Sequence, residues 1–504
     1  LFYNLEAPMP DSHAGLPQHA TGAAPDPRRW AALAVLLTGA FLGPLDFFIV
    51  NVAMPAITSG LGAAPAQMQL IISGYAVVFA VFLITGGRLG DLFGRKRVFL
   101  VGLAGFAGAS ALCGLAWSPR VLIFSRLLQA LAAALMAPQP LASIHAVFPA
   151  HERAKALSIY SVAIGLASVV GQLLGGALVS ADLGGLGWRL VFLINLPVAV
   201  AAFAAAVPLV PDTRAGRRPR LDLLGVVLSA GALAALVVPL IEGRELGWPA
   251  WCIALLVAAP LLGEAFRRWE LRLTRAGGAP LVAMDIFAAP GLLRGLAAIG
   301  TLYGTAAFFL TYAIYLQTGL GRSAMQAGLD ILPMSAGLMA GSFSSAAIGR
   351  RVGRAAPSLS YATTATGMFL AAWVIPTAGG PPAFLLLGPA LALAGFGLGV
   401  ALPTMMRVVV ERVAQNRAGL VGGLFNTMLQ ISAALGVAIL GGLFFAVRGT
   451  APAAGAIAHA FAVTLAAVGG CHVLGAALAI GLGQQRVRPV LLRRVDETQI
   501  RERR

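Results

Sequence analysis

An all-α polytopic membrane protein is the fold class this sequence predicts, and three observations predict it. First, 59% of the 504 residues are hydrophobic and only 11% are charged, whereas soluble domains carry about 25% charged residues. The mean hydropathy is +0.85, more apolar surface than a soluble core absorbs and of the kind a bilayer solvates. Second, the apolar residues come in continuous runs near the ~20 residues a spanning helix needs, without the alternation of barrel strands. Third, the cations are sorted: of 36 Lys and Arg, 29 fall in every second inter-run segment or at the termini.

The runs lie at 30–54, 66–89, 97–117, 120–144, 155–180, 188–210, 221–241, 250–267, 291–317, 324–349, 356–376, 382–406, 417–446 and 457–482, fourteen in all. With both ends cytoplasmic, the inner segments hold Arg28 and Arg29, then Arg88, Arg95, Lys96 and Arg97, then Arg153 and Lys155. Four arginines at 214–220, four at 267–275, Arg350, Arg351 and Arg354, then Arg407, Arg412 and Arg417 continue the series. The opposite face has only Arg120, Arg189, Arg244, Arg322 and Arg448, while Arg126 and Arg294 fall within runs. Such sorting is the positive-inside pattern for an even number of crossings. The +17 charge is thus an orientation signal and a contact for anionic lipid, not a nucleic-acid surface.

The expected organisation is a disordered cytoplasmic N-terminus (1–29), a six-helix bundle (30–210), a linker with two extra helices (211–290), a second six-helix bundle (291–482) and a basic cytoplasmic tail (483–504). The polar first 29 residues lack a basic start followed by an apolar stretch, so no cleaved signal peptide is expected. Cys113, Cys252 and Cys471 sit in apolar runs and imply no disulfide framework. Neither lysine follows a glycine, so there is no Gly-Lys phosphate loop, and no HExxH occurs. No metal site or cofactor is expected, and uphill work would draw on an ion gradient. His145 and His151, near the inner end of the fourth run, read as structural.

Asp46 lies deep in the first run, where a carboxylate costs roughly 2.5–3.5 kcal/mol on insertion scales and should find a cavity or a partner. It stands nine residues before Pro55, and Arg126 stands six after Arg120. Both therefore sit on the order of 9–14 Å inside the outer boundary. A proton could bind Asp46 when its contact with Arg126 is lost and leave when it is restored. Gln129 and Gln139 add polarity to the helix of Arg126. Gly171 and Gly175, four apart, allow close approach of another backbone. Asn426 and Gln430 share one face of the thirteenth run, and either a cavity or an interhelical hydrogen bond fits them. Asp330 reads as a solvated interfacial acid.

The stretch GGRLGDLFGRKRVFL (86–100) places five charges in fifteen residues between two apolar runs. Gly86, Gly90 and Gly94 recur every four residues, and Asp91 can pair with Arg95 or with a facing helix N-terminus. A degenerate twin, GRRVGRA (349–355), follows the second run of the other half, with Arg350 where Asp91 stands. GQLLGG (171–176) and GVAILGG (436–442) repeat similarly, and weak similarity between six-helix halves points to a transporter built from repeats.

These motifs resemble those of the major facilitator superfamily. The first matches G-x-L-x-D-x-x-G-R-[KR] at Gly87, Leu89, Asp91, Gly94, Arg95 and Lys96. LDFFIVNVAMP (45–55) is similar to the first-helix motif of the fourteen-helix drug:proton antiporters, and RLLQALAAALMAP (126–138) to the fourth-helix motif. WRLVFLINLPV (188–198), LDLLG (221–225) and NTMLQISAALGVAILGG (426–442) resemble further stretches of that branch. Two departures stand out: Ala130 follows Gln129 where glycine is usual, and Gln172 replaces the proline of G-P-x-x-G-G.

The resemblance implies a major facilitator fold, two six-helix bundles plus two inserted helices, in a bacterial inner membrane. It implies export of small amphipathic compounds in exchange for protons by alternating access. Asp46 and Arg126 would carry proton coupling, while Gly87, Asp91, Gly94, Arg95 and Lys96 would form a conformational latch. Gly171, Gln172, Gly175 and Gly176 would form the tight antiporter-motif interface. Asn51, Gln129, Tyr312, Asn426 and Gln430 are the cavity candidates. Partners would be the small-molecule substrate, protons and lipid, with room for a periplasmic adaptor and none for nucleic acid. The alternative within transport is a proton-coupled exporter or importer of one metabolite, lipid or siderophore. A membrane enzyme is disfavoured, because no nucleophile–base pair is evident.

Overall fold

Helix ends in this chain are written in glycine, proline and short polar caps, and the structure, a computed structural model, shows them in use. It describes residues 27–213, 221–302, 304–377, 382–413, 417–449 and 453–482. Helix α1 (Arg29–Leu61) ends at Gly62, whose φ of +63° only glycine adopts without strain. Proline opens α2 (Pro65–Phe93), where Gln67 accepts a hydrogen bond from the Ala64 N–H at 3.0 Å. Gly94, at φ +100°, separates it from α3 (Arg95–Gly114). Ser118 caps α4 (Pro119–Val147); α5 (Ala150–Ala181) and α6 (Gly187–Leu209) complete the first half. Asp222 caps the first inserted helix, α7 (Leu223–Glu245), and α8 (Ala250–Arg275) returns alongside it.

The second half comprises α9 (Leu292–Gly319), α10 (Leu332–Val352), α11 (Ala356–Thr377), α12 (Pro382–Val410), α13 (Leu420–Arg448) and α14 (Ala454–Ala479). By length and hydropathy alone, thirteen segments could cross a membrane, one of them the 52-residue stretch Ala324–Ile375. A straight helix of that length would run on the order of 78 Å, far beyond the ~30 Å hydrocarbon core. It folds back at Gly353 (φ +58°) into α10 and α11. Both pack on α12: Gly337 and Gly341 of α10 lie against the Ala392 and Phe396 carbonyls, and Gly367 of α11 against the Ala394 backbone. The architecture is therefore two six-helix bundles with two inserted helices, fourteen crossings as the sequence predicts. Among the described residues there is no strand.

The tails at 1–26 and 483–504, and the arginines at 214, 217, 218 and 220, lie outside the described residues. Arg294, expected inside a run, is instead in the first turn of α9. There it donates to the Ala477 (3.1 Å) and Ile480 (2.7 Å) carbonyls at the end of α14, covering acceptors that a helix C-terminus leaves open.

The halves meet most tightly at the end remote from Gly94. A methyl group on Gly176 of α5 would stand 2.6 Å from the Ala324 carbonyl oxygen, and one on Gly328 would stand 2.6 Å from that of Gln172. Ser180 accepts the Met325 N–H at 3.0 Å, and Gln317 of α9 donates to the Val52 carbonyl of α1 at 2.8 Å. Phe48 and Phe309 meet edge to face across the same boundary, with ring centroids 5.1 Å apart. The missing side chains of Gly176 and Gly328 let two backbones touch, which seals that end.

Candidate functional site

Five helices of the first half bury one charged cluster. Asp46 on α1 and Arg126 on α4 form an ion pair with both side chains removed from solvent. The similar depth read from Pro55 and Arg120 brings them into contact as expected. Gln129, one turn from Arg126, accepts from its guanidinium at 2.6 Å and donates to the other Asp46 oxygen at 2.9 Å. Its amide also donates to Ser110 Oγ on α3 at 2.8 Å. Asn195 on α6 donates to Asp46 at 3.2 Å. The Arg126 Nε–H donates to the Ile71 carbonyl of α2 at 3.3 Å, and its guanidinium lies 4.3 Å from the centre of the Tyr75 ring.

Two charges out of water are tolerable only when the remaining donors and acceptors are used, and this shell uses most of them. Among the described residues, Tyr75 Oη and Asn195 Oδ1 beside it find no hydrogen-bond partner. Protonating Asp46 would replace its charge with an O–H donor and release Arg126 from its partner. Asn195, Ser110 and Tyr75 were not singled out from sequence. For Asn195 the signal existed: an amide inside an apolar run invites the same question as Asp46.

The glycine-rich turn is fastened on all sides. The Asp91 carboxylate accepts from Arg95 at 3.1 Å, and Arg95 also donates to the Ala142 carbonyl of α4 at 2.8 Å. Lys96 donates to the Val207 carbonyl of α6 at 2.6 Å, and Arg97 lies 3.8 Å from Asp212. Gly86 admits the Ala134 backbone and Gly90 the Gln139 side chain. Gln139 in turn donates to the Gly86 carbonyl at 2.9 Å. Gly87 is more open, with only Pro138 Cβ near the place of a side chain. The turn thus clips α2 to α4 and α6.

On α5, Gly171 and Gly175 admit the α1 backbone at Leu45 and Ile49, while Gly176 faces the other half. Gln172, standing where the related motif has proline, is buried, and its Nε2 finds no acceptor among the described residues.

The cavity candidates divide. Tyr312 is corrected: it is closed off, its hydroxyl donating to the Asp330 carbonyl at 3.1 Å and its ring stacked with Phe308 and Phe461. Gln129 belongs to the ion cluster instead of a cavity wall, because all its polar atoms are used there. Buried Asn51 donates to the Phe47 carbonyl of its own helix at 2.7 Å. Asn426 is exposed and Gln430 half-buried. Asp330, read as solvated, is instead held by Arg322 through two hydrogen bonds of 2.9 Å. His145 hydrogen-bonds the Leu141 carbonyl of its own helix at 2.8 Å.

The sequence profile of the Major Facilitator Superfamily matches residues 36–437. A probable actinorhodin transporter of Streptomyces coelicolor is 39% identical over 444 residues, covering 88% of this chain and 77% of that one. The puromycin resistance protein pur8 of Streptomyces alboniger is 36% identical, covering 94% and 95%. The tetracenomycin C resistance and export protein of Streptomyces glaucescens is 35% identical, covering 82% and 76%. Among solved structures, a bacterial homologue of the human lysosomal transporter Spinster, inward-facing and unoccupied, superposes with a TM-score of 0.66. Its 19% identity, with 92% of this chain and 98% of that one covered, speaks to the fold alone.

Proposed function

Because the chain belongs to the Major Facilitator Superfamily, we propose that it exports small amphipathic compounds, of the antibiotic kind its relatives handle, in exchange for protons. The observation that carries this reading is the Asp46–Arg126–Gln129 cluster, a titratable group buried in the bundle with its charge partner. An intramembrane carboxylate of this kind marks a proton or ion pathway by default. The glycine contacts of α5 with the Ala324–Gly328 segment support a conformer closed at the end remote from Gly94. With the cations of the Gly94 turn on the cytoplasmic side, this is the inward-facing member of an alternating-access pair in a bacterial plasma membrane. In the cycle, substrate enters from the inner side. Asp46 gives up its proton to the inner side, re-forms the pair with Arg126, and takes a proton again when open outward.

The test uses everted vesicles of an efflux-deficient bacterium expressing the full chain, with a preformed ΔpH and a lipophilic fluorescent dye. Dye should be taken up against its gradient and, at high concentration, dissipate the ΔpH. Asp46→Asn should abolish both while leaving the protein in the membrane. Uptake at the unmodified rate by that variant would remove Asp46 from the mechanism. Uptake driven only by a single metabolite would favour the narrower exporter.

A further inference from the structure

The inserted helices carry charged chemistry that exchange through Asp46 leaves unused. The Asp222 Oδ1 that caps α7 accepts from the Gly225 N–H at 2.9 Å and from the Trp269 indole at 2.8 Å. Glu270, next to Trp269 on α8, is fully buried, and its Oε2 accepts the Val282 N–H at 2.8 Å. The other two oxygens, Asp222 Oδ2 and Glu270 Oε1, are buried with no donor among the described residues. They converge on the same side of Gly225, where a side chain would collide with both.

An ionised carboxylate only accepts hydrogen bonds. Two unmatched carboxylate oxygens turned toward each other in a dry site repel unless a proton lies between them. With one proton, one acid donates its O–H to the other, and the pair titrates as a unit. Burial pushes the Asp222 carboxyl up. Hydrogen bonds from the Glu270 carboxyl, the Gly225 N–H, the Trp269 indole and the Leu281 N–H outweigh it and hold Asp222 below the ordinary carboxylate range. Asp222 is therefore the ionised member and Glu270 the member that carries the proton.

Among the described residues, the charged groups around the pair are few. Arg88 of α2 faces both carboxyls, and its guanidinium also donates to the Ala279 (3.0 Å), Leu281 (3.3 Å) and Pro280 carbonyls. Asp285, a few residues further on, is bound to Arg417 of the α12–α13 connection at 2.6 Å. Arg272 and Arg275 lie farther along α8 itself. Residues 279–282 are thus gripped from one side by Arg88 and from the other by Glu270. At the far end of α7, Glu245 accepts the Ala66 N–H of α2 at 2.8 Å. The inserted pair braces α2 at both ends, and α2 is a helix that packs on α13 of the other half.

We propose that Asp222 and Glu270 form a second proton-binding site, holding one shared proton near the Gly94 turn, and that this proton keeps the inserted helices docked on α2. Loss of the proton leaves two adjacent carboxylates beside Arg88. Their repulsion parts the α7 cap from α8 and frees residues 279–282. Proton occupancy on the inner side thereby reaches α2 by a route separate from Asp46.

Infrared difference spectra of the purified full chain in lipid nanodiscs test this. On raising the pH above neutrality, the unmodified protein should lose a protonated-carboxyl C=O band and shift its tryptophan emission. Glu270→Gln should lack that band and the emission shift, and Trp269→Phe should lack the shift alone. Asp46→Asn should keep both, which separates this site from the coupling site. If Glu270→Gln fails to fold, Asp222→Asn decides: the midpoint of the band should fall by at least one pH unit, a tenfold loss of proton affinity. A band and emission shift unchanged in Glu270→Gln, or an unmoved midpoint in Asp222→Asn, overturns the proposal.

Discussion

The turns at Gly94 and Gly353 occupy equivalent places in the two halves, and each is a positive-φ glycine between antiparallel helices. Their surroundings differ. Around Gly94, Asp91, Arg95, Lys96 and Arg97 engage one another, α4, α6 and Asp212 just beyond α6. Around Gly353, Arg350, Arg351 and Arg354 are exposed, and none makes a side-chain hydrogen bond or ion pair among the described residues. The buried interiors differ in the same sense. The first half encloses the Asp46–Arg126 pair; the second buries no Asp, Glu, Arg or Lys among the described residues, and its His472 lies against the Val468 carbonyl (2.9 Å) and Thr305 Oγ1 (3.4 Å). Duplicated backbone geometry has not carried its chemistry with it. One half buries an ion pair, and the other buries none among the described residues.

Breaking the charged half should have the largest effect. Arg126→Ala leaves the Asp46 charge buried without a partner and should cost about 3–5 kcal/mol, read as a steep fall in thermal stability. Asp46→Asn in that background should restore most of it, because the orphan charge is gone, yet transport should stay absent. Next comes Gly176→Val at the seal. Its side chain would meet the Ala324 and Met325 backbone, an overpacking of about 1–3 kcal/mol. That should shift the population toward the conformer open at that end by roughly tenfold or more, measured as faster labelling of a cysteine placed at Thr58. Unchanged labelling would mean that the contact seals nothing.

The Asp91–Arg95 pair is partly exposed, so its loss should cost less than about 1 kcal/mol of stability. Asp91→Asn should therefore hardly move the unfolding temperature while transport fails. Full activity in that variant would reduce the turn to a topogenic loop.

Fourteen crossings were legible because a bilayer imposes a length and a polarity that each run states locally. The Asp46–Arg126 contact was legible because both residues sit at measurable distances from the ends of their helices. Ser110 was not, since a hydroxyl can satisfy itself on its own helix backbone and forces no partner; Asn195 carried a signal, an amide in an apolar run, but nothing local named Asp46 as its partner. The glycine spacing on α5 announced a close approach but not its object: Gly171 and Gly175 face α1, whereas Gly176 faces Ala324 across the two halves. Tyr312 shows the opposite failure, because a tyrosine in a run reads equally as cavity wall or core. The Asp222–Glu270 contact joins residues 48 apart through a fold-back that no local pattern encodes. The open side of Gly225, which makes room for both oxygens, is visible only in three dimensions.

The smallest expected effect bears most directly on the comparison of the two turns. Arg350→Asp gives the second turn the carboxylate the first one has, four residues before Arg354 as Asp91 is before Arg95. An i,i+4 pair on an exposed helix end is worth only about 0.3–0.5 kcal/mol, so stability should rise by a degree or two at most. Transport should not change, because among the described residues nothing near Arg354 corresponds to the Ala142 carbonyl that anchors Arg95 on α4. A local ion pair without that anchor holds a turn to itself and not to a neighbouring helix, so it gives alternating access nothing to break. If Arg350→Asp instead slowed transport as strongly as Asp91→Asn, the carboxylate–arginine pair alone would be the latch. The clip from α2 to α4 and α6 would then be incidental, and the two turns would differ only in whether that one acid is present.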